Sequence, residues 1–250
     1  MFKTELNAGM LKRIMQTLGE TISEARMKIS KDGISVSAVD PANVLMTKME
    51  IPLGVFEVYE VDPVTIGLDV IKIVNMLSDV NDSGNAILEL SEDNARINMK
   101  VGNMEWSTSL MAAESTRPEP RIPDITLPAK VCIDGARFSK IVKSAMNMSD
   151  HIILGVKDSV FFASAGDGIQ SFDAKIPLSE LPGSVAGEAR SLFSLDYIED
   201  MAKAARKSDV VNIELGTDFP MRMNFKIGNG LDPGALPSVS YLLAPRFERD

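Results

Sequence analysis

The sequence predicts an α+β fold of two similar domains, each a mostly antiparallel sheet structure carrying two helices. Three observations predict it. An internal repeat recurs at domain-sized spacing, a proline-rich stretch separates the copies, and apolar alternation of period two dominates between four segments of helical period.

The repeat is clearest in residues 96–103, Arg-Ile-Asn-Met-Lys-Val-Gly-Asn, and residues 222–229, Arg-Met-Asn-Phe-Lys-Ile-Gly-Asn, which lie 126 residues apart. Ile51-Pro52 is echoed by Ile176-Pro177, and Leu88-Glu89-Leu90 by Ile213-Glu214-Leu215. The helical stretch around 9–19 is echoed around 135–147. The same interval in four places points to duplication of a whole domain, not to a solenoid repeat. Between the copies, Glu114–Pro128 holds four prolines, which forbid helix and interrupt a ladder, so a stiff extended connector is expected. The predicted boundaries are a first domain over 1–112, a connector over 113–127, a second domain over 128–247 and a tail over 248–250.

Element by element, Met1–Leu6 reads as a strand, followed by a helix near 9–19. Ile34–Val39, Ala86–Leu90 and Met104–Leu110 carry strand composition, separated by turn clusters such as Lys31-Asp-Gly33 and Asn81–Asn85. A second helix is predicted near 68–78. The second half repeats the scheme, with strands at Ile152–Val156, Ser159–Ser164 and Val210–Leu215 and helices at 135–148 and 194–208.

On the first helix Met10, Leu11, Ile14, Met15 and Leu18 share the apolar face, with Lys12, Arg13 and Gln16 opposite. On the third, Phe138, Ile141, Val142, Ala145 and Met146 oppose Arg137, Lys140, Lys143 and Asn147. The second offers a narrow polar stripe of Lys72 and Asn75. The fourth sets Tyr197, Ile198, Met201 and Ala205 against Lys203, Arg206 and Lys207. The four windows hold nine basic side chains against four acidic ones. They are therefore +5 in a chain of −9, and everything else carries −14. A solvated helix face ordinarily mixes signs, so this segregation calls for an anionic partner that the four helices share. Lys and Arg without exposed aromatics or a base-reading motif suit contact with duplex phosphates and little sequence reading.

At 45% hydrophobic and 24% charged, the composition is that of a soluble globular protein with two substantial cores. The single cysteine, Cys132, precludes an intrachain disulfide and fits a reducing compartment. No signal-peptide layout and no run long enough to span a bilayer are present, so a cytoplasmic location and no membrane partner are expected.

Five segments together resemble the proliferating cell nuclear antigen (PCNA) family of sliding clamps, in particular its archaeal members. They are Leu11-Lys-Arg-Ile-Met-Gln-Thr-Leu18, Asp32-Gly-Ile-Ser-Val-Ser-Ala-Val-Asp40, Ser91-Glu-Asp-Asn-Ala95, the proline-rich connector and Leu243-Ala-Pro-Arg246. The resemblance covers nearly the whole chain. It implies a homotrimeric ring with sheets outside and helices lining a hole that surrounds double-stranded DNA. The family's DNA-facing positions fall on Lys12, Arg13, Lys72, Lys140, Lys143 and Lys203, and the helical charge count adds Arg137, Arg206 and Lys207. A pocket for short client motifs is implied at Val39, Val44, Met46, Ile122, Ile125, Leu127, Pro220, Leu242, Ala244 and Pro245, with Leu242 standing where an aromatic is common. The clients so implied are DNA polymerase, clamp loader, flap endonuclease and DNA ligase. Ring closure is implied between the segments 105–112 (Glu105, Trp106, Thr108, Leu110, Ala112) and 170–176 (Gln170, Phe172, Ala174, Ile176).

No catalytic residue, metal or cofactor is expected. An enzyme acting on DNA would need clustered carboxylates for metal chemistry or a nucleophile with its base. His151, the only histidine, reads as structural or solvated, and Cys132 as packed core. Ala165-Gly-Asp-Gly168 and Ile227-Gly-Asn-Gly230 lack a following helix and read as turns. Asp196 and Asp200 lie one helical turn apart without a second cluster. The alternatives left open are a subunit of a heteromeric clamp and a DNA-acting metal-dependent enzyme.

Overall fold

A computed structural model describes residues 1–250 except 82, 121, 122, 124, 229–231 and 248–250. The chain forms two compact units that are not two unbroken runs of sequence. The first comprises Met1–Asp40, Thr47–Pro120 and Lys226–Val239. The second comprises Pro41–Met46, Arg121–Phe225 and Ser240–Asp250.

In the first unit, strands β1 (Phe2–Asn7), β2 (Glu24–Ser30), β3 (Gly33–Val39), β4 (Leu45–Pro52), β5 (Phe56–Val61), β6 (Val64–Asp69), β7 (Asn85–Leu90), β8 (Arg96–Val101) and β9 (Met104–Ser109) accompany helices α1 (Ala8–Gly19) and α2 (Val70–Met76). The strands run in the orders β5-β1-β7-β8-β9 and β4-β3-β2-β6. Alternation in β1 and β8 is strict, every second side chain being buried, so one sheet face closes over the helices. Leu6, Ile14, Leu18, Ile29, Met49 and Leu77 are among its fully buried side chains. Beside them lies a void of about 50 Å³, walled by Leu11, Ile14, Met15, Ile73, Leu88 and Trp106 among others.

The second unit repeats the plan with β10 (Ala129–Asp134), α3 (Gly135–Met146), β11 (His151–Lys157), β12 (Val160–Gly166), β13 (Ser171–Pro177), β14 (Ala189–Ser194), α4 (Leu195–Ala204), β15 (Val210–Leu215), β16 (Met221–Lys226) and β17 (Ser238–Leu243). Its strand orders are β13-β12-β11-β14 and β10-β15-β16-β17. Here the largest fully buried side chains are aromatic: Phe138, Phe161, Phe193, Phe225 and Tyr241.

Three of the four helices start on an Asn or Asp whose side chain accepts a backbone N–H three residues on. These are Asn7 to Met10 (3.0 Å), Asp69 to Lys72 (2.9 Å) and Asp134 to Arg137 (2.7 Å). Three of the four helices, α2, α3 and α4, are shorter than the sequence pattern predicts. Helix α4 ends at Ala204, and Arg206 and Lys207 fall in the turn that follows. There the Asp209 carboxylate accepts the Arg206 N–H at 2.7 Å, while the Asp209 and Lys207 carbonyls accept N–H groups from Gly135 and Ala136. The turn thus closes onto the start of α3 instead of extending the helix.

The connector is held by arginines at both ends as well as stiffened by proline. Arg26 on β2 donates to the carbonyls of Ala113 and Thr116, and Arg222 on β16 donates to the Ile125 carbonyl at 3.2 Å.

Candidate functional site

The basic residues singled out on the helices have three fates. Lys72, Lys140 and Lys143 are exposed. Lys12 is half-buried, and its ammonium donates to the carbonyls of Ser78 and Val80 at 2.9 and 3.0 Å, just past the end of α2. Arg13, placed with Lys12 on the outer face by the sequence pattern, is instead only 7% exposed. Thr17, one turn on, is buried as well. The side of α1 that the sequence reads as polar is therefore partly covered, Arg13 and Thr17 being buried and Lys12 half-buried. Met146, read as core, is conversely exposed at the end of α3.

Acidic neighbours answer part of the remaining charge. Arg137 pairs with Glu180 at 3.0 Å. Lys203 bridges Glu199 at 3.0 Å and Asp200 at 3.5 Å. The hydrogen bond with Glu199 raises the Lys203 pKa above its ordinary value, while burial pushes the Asp200 carboxyl up against the pull of Lys203. The field of α4 is thus weaker than its lysine suggests. Among the described residues, Lys140 and Lys143 on α3 are exposed and in no ion pair.

A second group of predicted residues gathers in the second unit. Val44 and Ala244 are joined directly, the Ala244 N–H donating to the Val44 carbonyl at 3.0 Å. Val44, Met46, Ile125, Leu127, Pro220, Ala244 and Pro245 are half-buried, whereas Leu242 is 7% exposed. Leu127 lies against the turn at Gly216. Ser191 pins that turn, its hydroxyl donating to the Gly216 carbonyl at 2.9 Å and accepting the Phe219 N–H at 3.1 Å. Phe219, missed from sequence, presents a ring 47% exposed beside Pro220. An aromatic followed by proline at a tight turn was the available signal. Val39 is half-buried in the first unit, and Ile122 lies outside the described residues.

The predicted joining segments also need redrawing. Strand β9 ends at Ser109; Leu110 donates to Ala95, and Met111 then bridges to Gly67 on β6. Leu110–Ala112 is therefore a crossover and not part of the edge. Glu105 pairs with Lys100 at 2.7 Å, and that bond holds its carboxyl below the usual range. Trp106 is half-buried and Thr108 buried. Gln170 sits in the turn before β13, whose Phe172 and Ala174 are half-buried and Ile176 buried. The turn itself is self-contained: Asp167 accepts N–H groups from Gln170 and Ile169, each at 2.9 Å, which lowers its pKa. Ile227–Gly230 runs into residues outside those described. Among the described residues, no group of three His, Cys, Asp or Glu side chains is placed to hold a metal ion, and no helix is long and apolar enough to cross a membrane.

Residues 1–110 match the model of the proliferating cell nuclear antigen N-terminal domain, and residues 121–232 that of its C-terminal domain. The chain is 38% identical to the DNA polymerase sliding clamp of Methanothrix thermoacetophila and 40% identical to that of Methanosarcina barkeri, covering both chains completely in each case. The solved A. fulgidus PCNA bound to the C-terminal region of FEN-1 superposes with a TM-score of 0.92 at 33% identity, again over the whole of both chains. On these matches, which span both domains end to end, the chain belongs to the PCNA family of sliding clamps.

Proposed function

We propose that this protein is a DNA polymerase sliding clamp: three copies close into a ring around duplex DNA and tether enzymes that work on it. The observation that carries the reading is the end-to-end similarity to relatives named DNA polymerase sliding clamp. The exposed Lys72, Lys140 and Lys143, in a chain of net charge −9, agree with it. In this reading encirclement provides the hold, so phosphate contacts can stay weak enough for sliding. A tethered polymerase then meets its primer end at high effective concentration without any improvement in either binding site. No residue is assigned a catalytic role.

The half-buried strip of Val44, Met46, Ile125, Leu127, Pro220 and Pro245, with Leu242 beneath it, is the proposed seat for client peptides. A polymerase, a clamp loader, a flap endonuclease and a DNA ligase would each bring a short helical motif with apolar anchors to it. Processive synthesis on a primed circular template tests the reading. Added protein should lengthen products, and linearising the template with open ends should abolish most of the gain. Light scattering should give a particle of three 27.2 kDa chains. Product lengths insensitive to the protein, on either template, would refute the assignment.

A further inference from the structure

The void in the first unit has a cause in the duplication. The helix caps Asn7 and Asp134 set α1 against α3, so that Leu11 corresponds to Phe138. The repeated octapeptides set β8 against β16, so that Met99 corresponds to Phe225. Both phenylalanines are fully buried in the second unit, and both Leu11 and Met99 line the void in the first. Where one copy of the plan fills its core with two aromatic rings, the other carries two narrower side chains, and their neighbours have not closed the space between them. Incomplete collapse of that kind is what a large-to-small replacement leaves in a close-packed interior.

The lining decides what suits the space. No polar atom faces it. Thr108 forms part of the wall, but its hydroxyl donates to the Ser109 carbonyl at 3.5 Å. A water molecule needs several polar partners and would find none there. A small apolar molecule would instead leave water at a gain and meet dispersion contacts on every side. Four methionines, Met15, Met27, Met76 and Met99, share the wall. Their unbranched thioether chains change rotamer at little cost, so the space can adjust to an occupant somewhat larger than its resting volume of about 50 Å³. A way in exists as well. Met76, Leu88 and Trp106 line the void and are themselves only half-buried, so on that side the wall is one side chain thick.

We infer that this void is a binding site for a small apolar molecule, of the size of a heavy gas atom or a short hydrocarbon. The site lies within a single copy of the chain and does not depend on the ring reading. Trp106 and Thr108 belong to β9, the last strand of the five-stranded sheet, so an occupant would be felt at that edge.

Xenon, applied under pressure to the full chain with isotope-labelled methionine methyls, is the probe. The resonances of Met15, Met27, Met76 and Met99 should shift in a saturable way, while those of the buried Met201, Met221 and Met223 in the second unit should stay where they are. Emission from Trp106, the only tryptophan, should be quenched with the same midpoint. With xenon well above its dissociation constant, the melting temperature should rise by about 2 °C. Met99→Phe copies the second unit's residue into the space, and that variant should keep its fold while losing both the shifts and the quenching. Leu11→Phe fills the void from the helix side and should behave alike. Unsaturable shifts spread over all the methionines would show xenon partitioning without a site and would overturn the inference. A wild-type response that survives unchanged in both filled variants would do the same.

Discussion

The two units share one plan yet fill and charge it differently. The first packs its core with aliphatic residues and methionine around a void of about 50 Å³, while the second fully buries four phenylalanines and a tyrosine. The same contrast appears on the matching helices. On α1, Lys12 is bonded to two carbonyls and Arg13 is buried; on α3, Lys140 and Lys143 stand in solvent. A duplicated pattern of apolar and polar positions thus preserves the fold without preserving volume, and preserves basic residues without preserving their availability.

The largest effect expected from breaking this contrast is in the cores. Phe138→Ala should cost about 4 kcal/mol in denaturant unfolding, against about 3 kcal/mol for Leu18→Ala. Equal losses would mean that the aromatic core is no better packed than the aliphatic one. Next comes the start of each helix. A Cβ on Gly135 would lie 2.1 Å from the Arg206 carbonyl oxygen, so Gly135→Ala should cost about 2–3 kcal/mol. At the matching position of α1, Ala8→Gly should cost about 1 kcal/mol, mainly through helix propensity. Thermal melts of the two variants give the comparison directly.

For the charges, Lys140→Glu with Lys143→Glu should weaken duplex binding by about tenfold at low salt, flatten its salt dependence and leave unfolding within about 0.5 kcal/mol of wild type. Lys12→Met should do the reverse, lowering stability by about 1 kcal/mol through lost bonds to Ser78 and Val80 while changing duplex affinity less. Fluorescence anisotropy with a short duplex, alongside melts, separates the two patterns. If Lys12→Met matched the α3 variant in affinity loss, the division of roles between the helices would be wrong.

Much of the architecture was legible because it depends on periodicity. The strands at Ile34–Val39, Ala86–Leu90 and Val210–Leu215 and all four helices stand within a few residues of where alternation and helical period put them. What could not be read was burial on a second side of a helix. Arg13 looks outward on a helical wheel, but the wheel knows only one buried face, and α1 buries Arg13 and Thr17 outside it. Arg206 and Lys207 were misplaced because Ala205 and its neighbours favour helix, whereas Asp209 closes a turn by tertiary hydrogen bonds. The anchoring of the connector by Arg26 and Arg222 was equally hidden, since carbonyl acceptors leave no mark in a sequence.

Leu242 carries a consequence for how such a protein can change over time. It is assigned to the floor of the proposed peptide seat and is 7% exposed, one residue from the fully buried Tyr241 and Leu243. Replacing it reshapes the floor of the seat and disturbs a core strand together. The rim positions Val44, Met46, Ile125 and Pro245 are only half-buried and carry no such double burden. Drift in client preference should therefore accumulate at the rim, while the floor changes only with compensating substitutions in β17 or its neighbours.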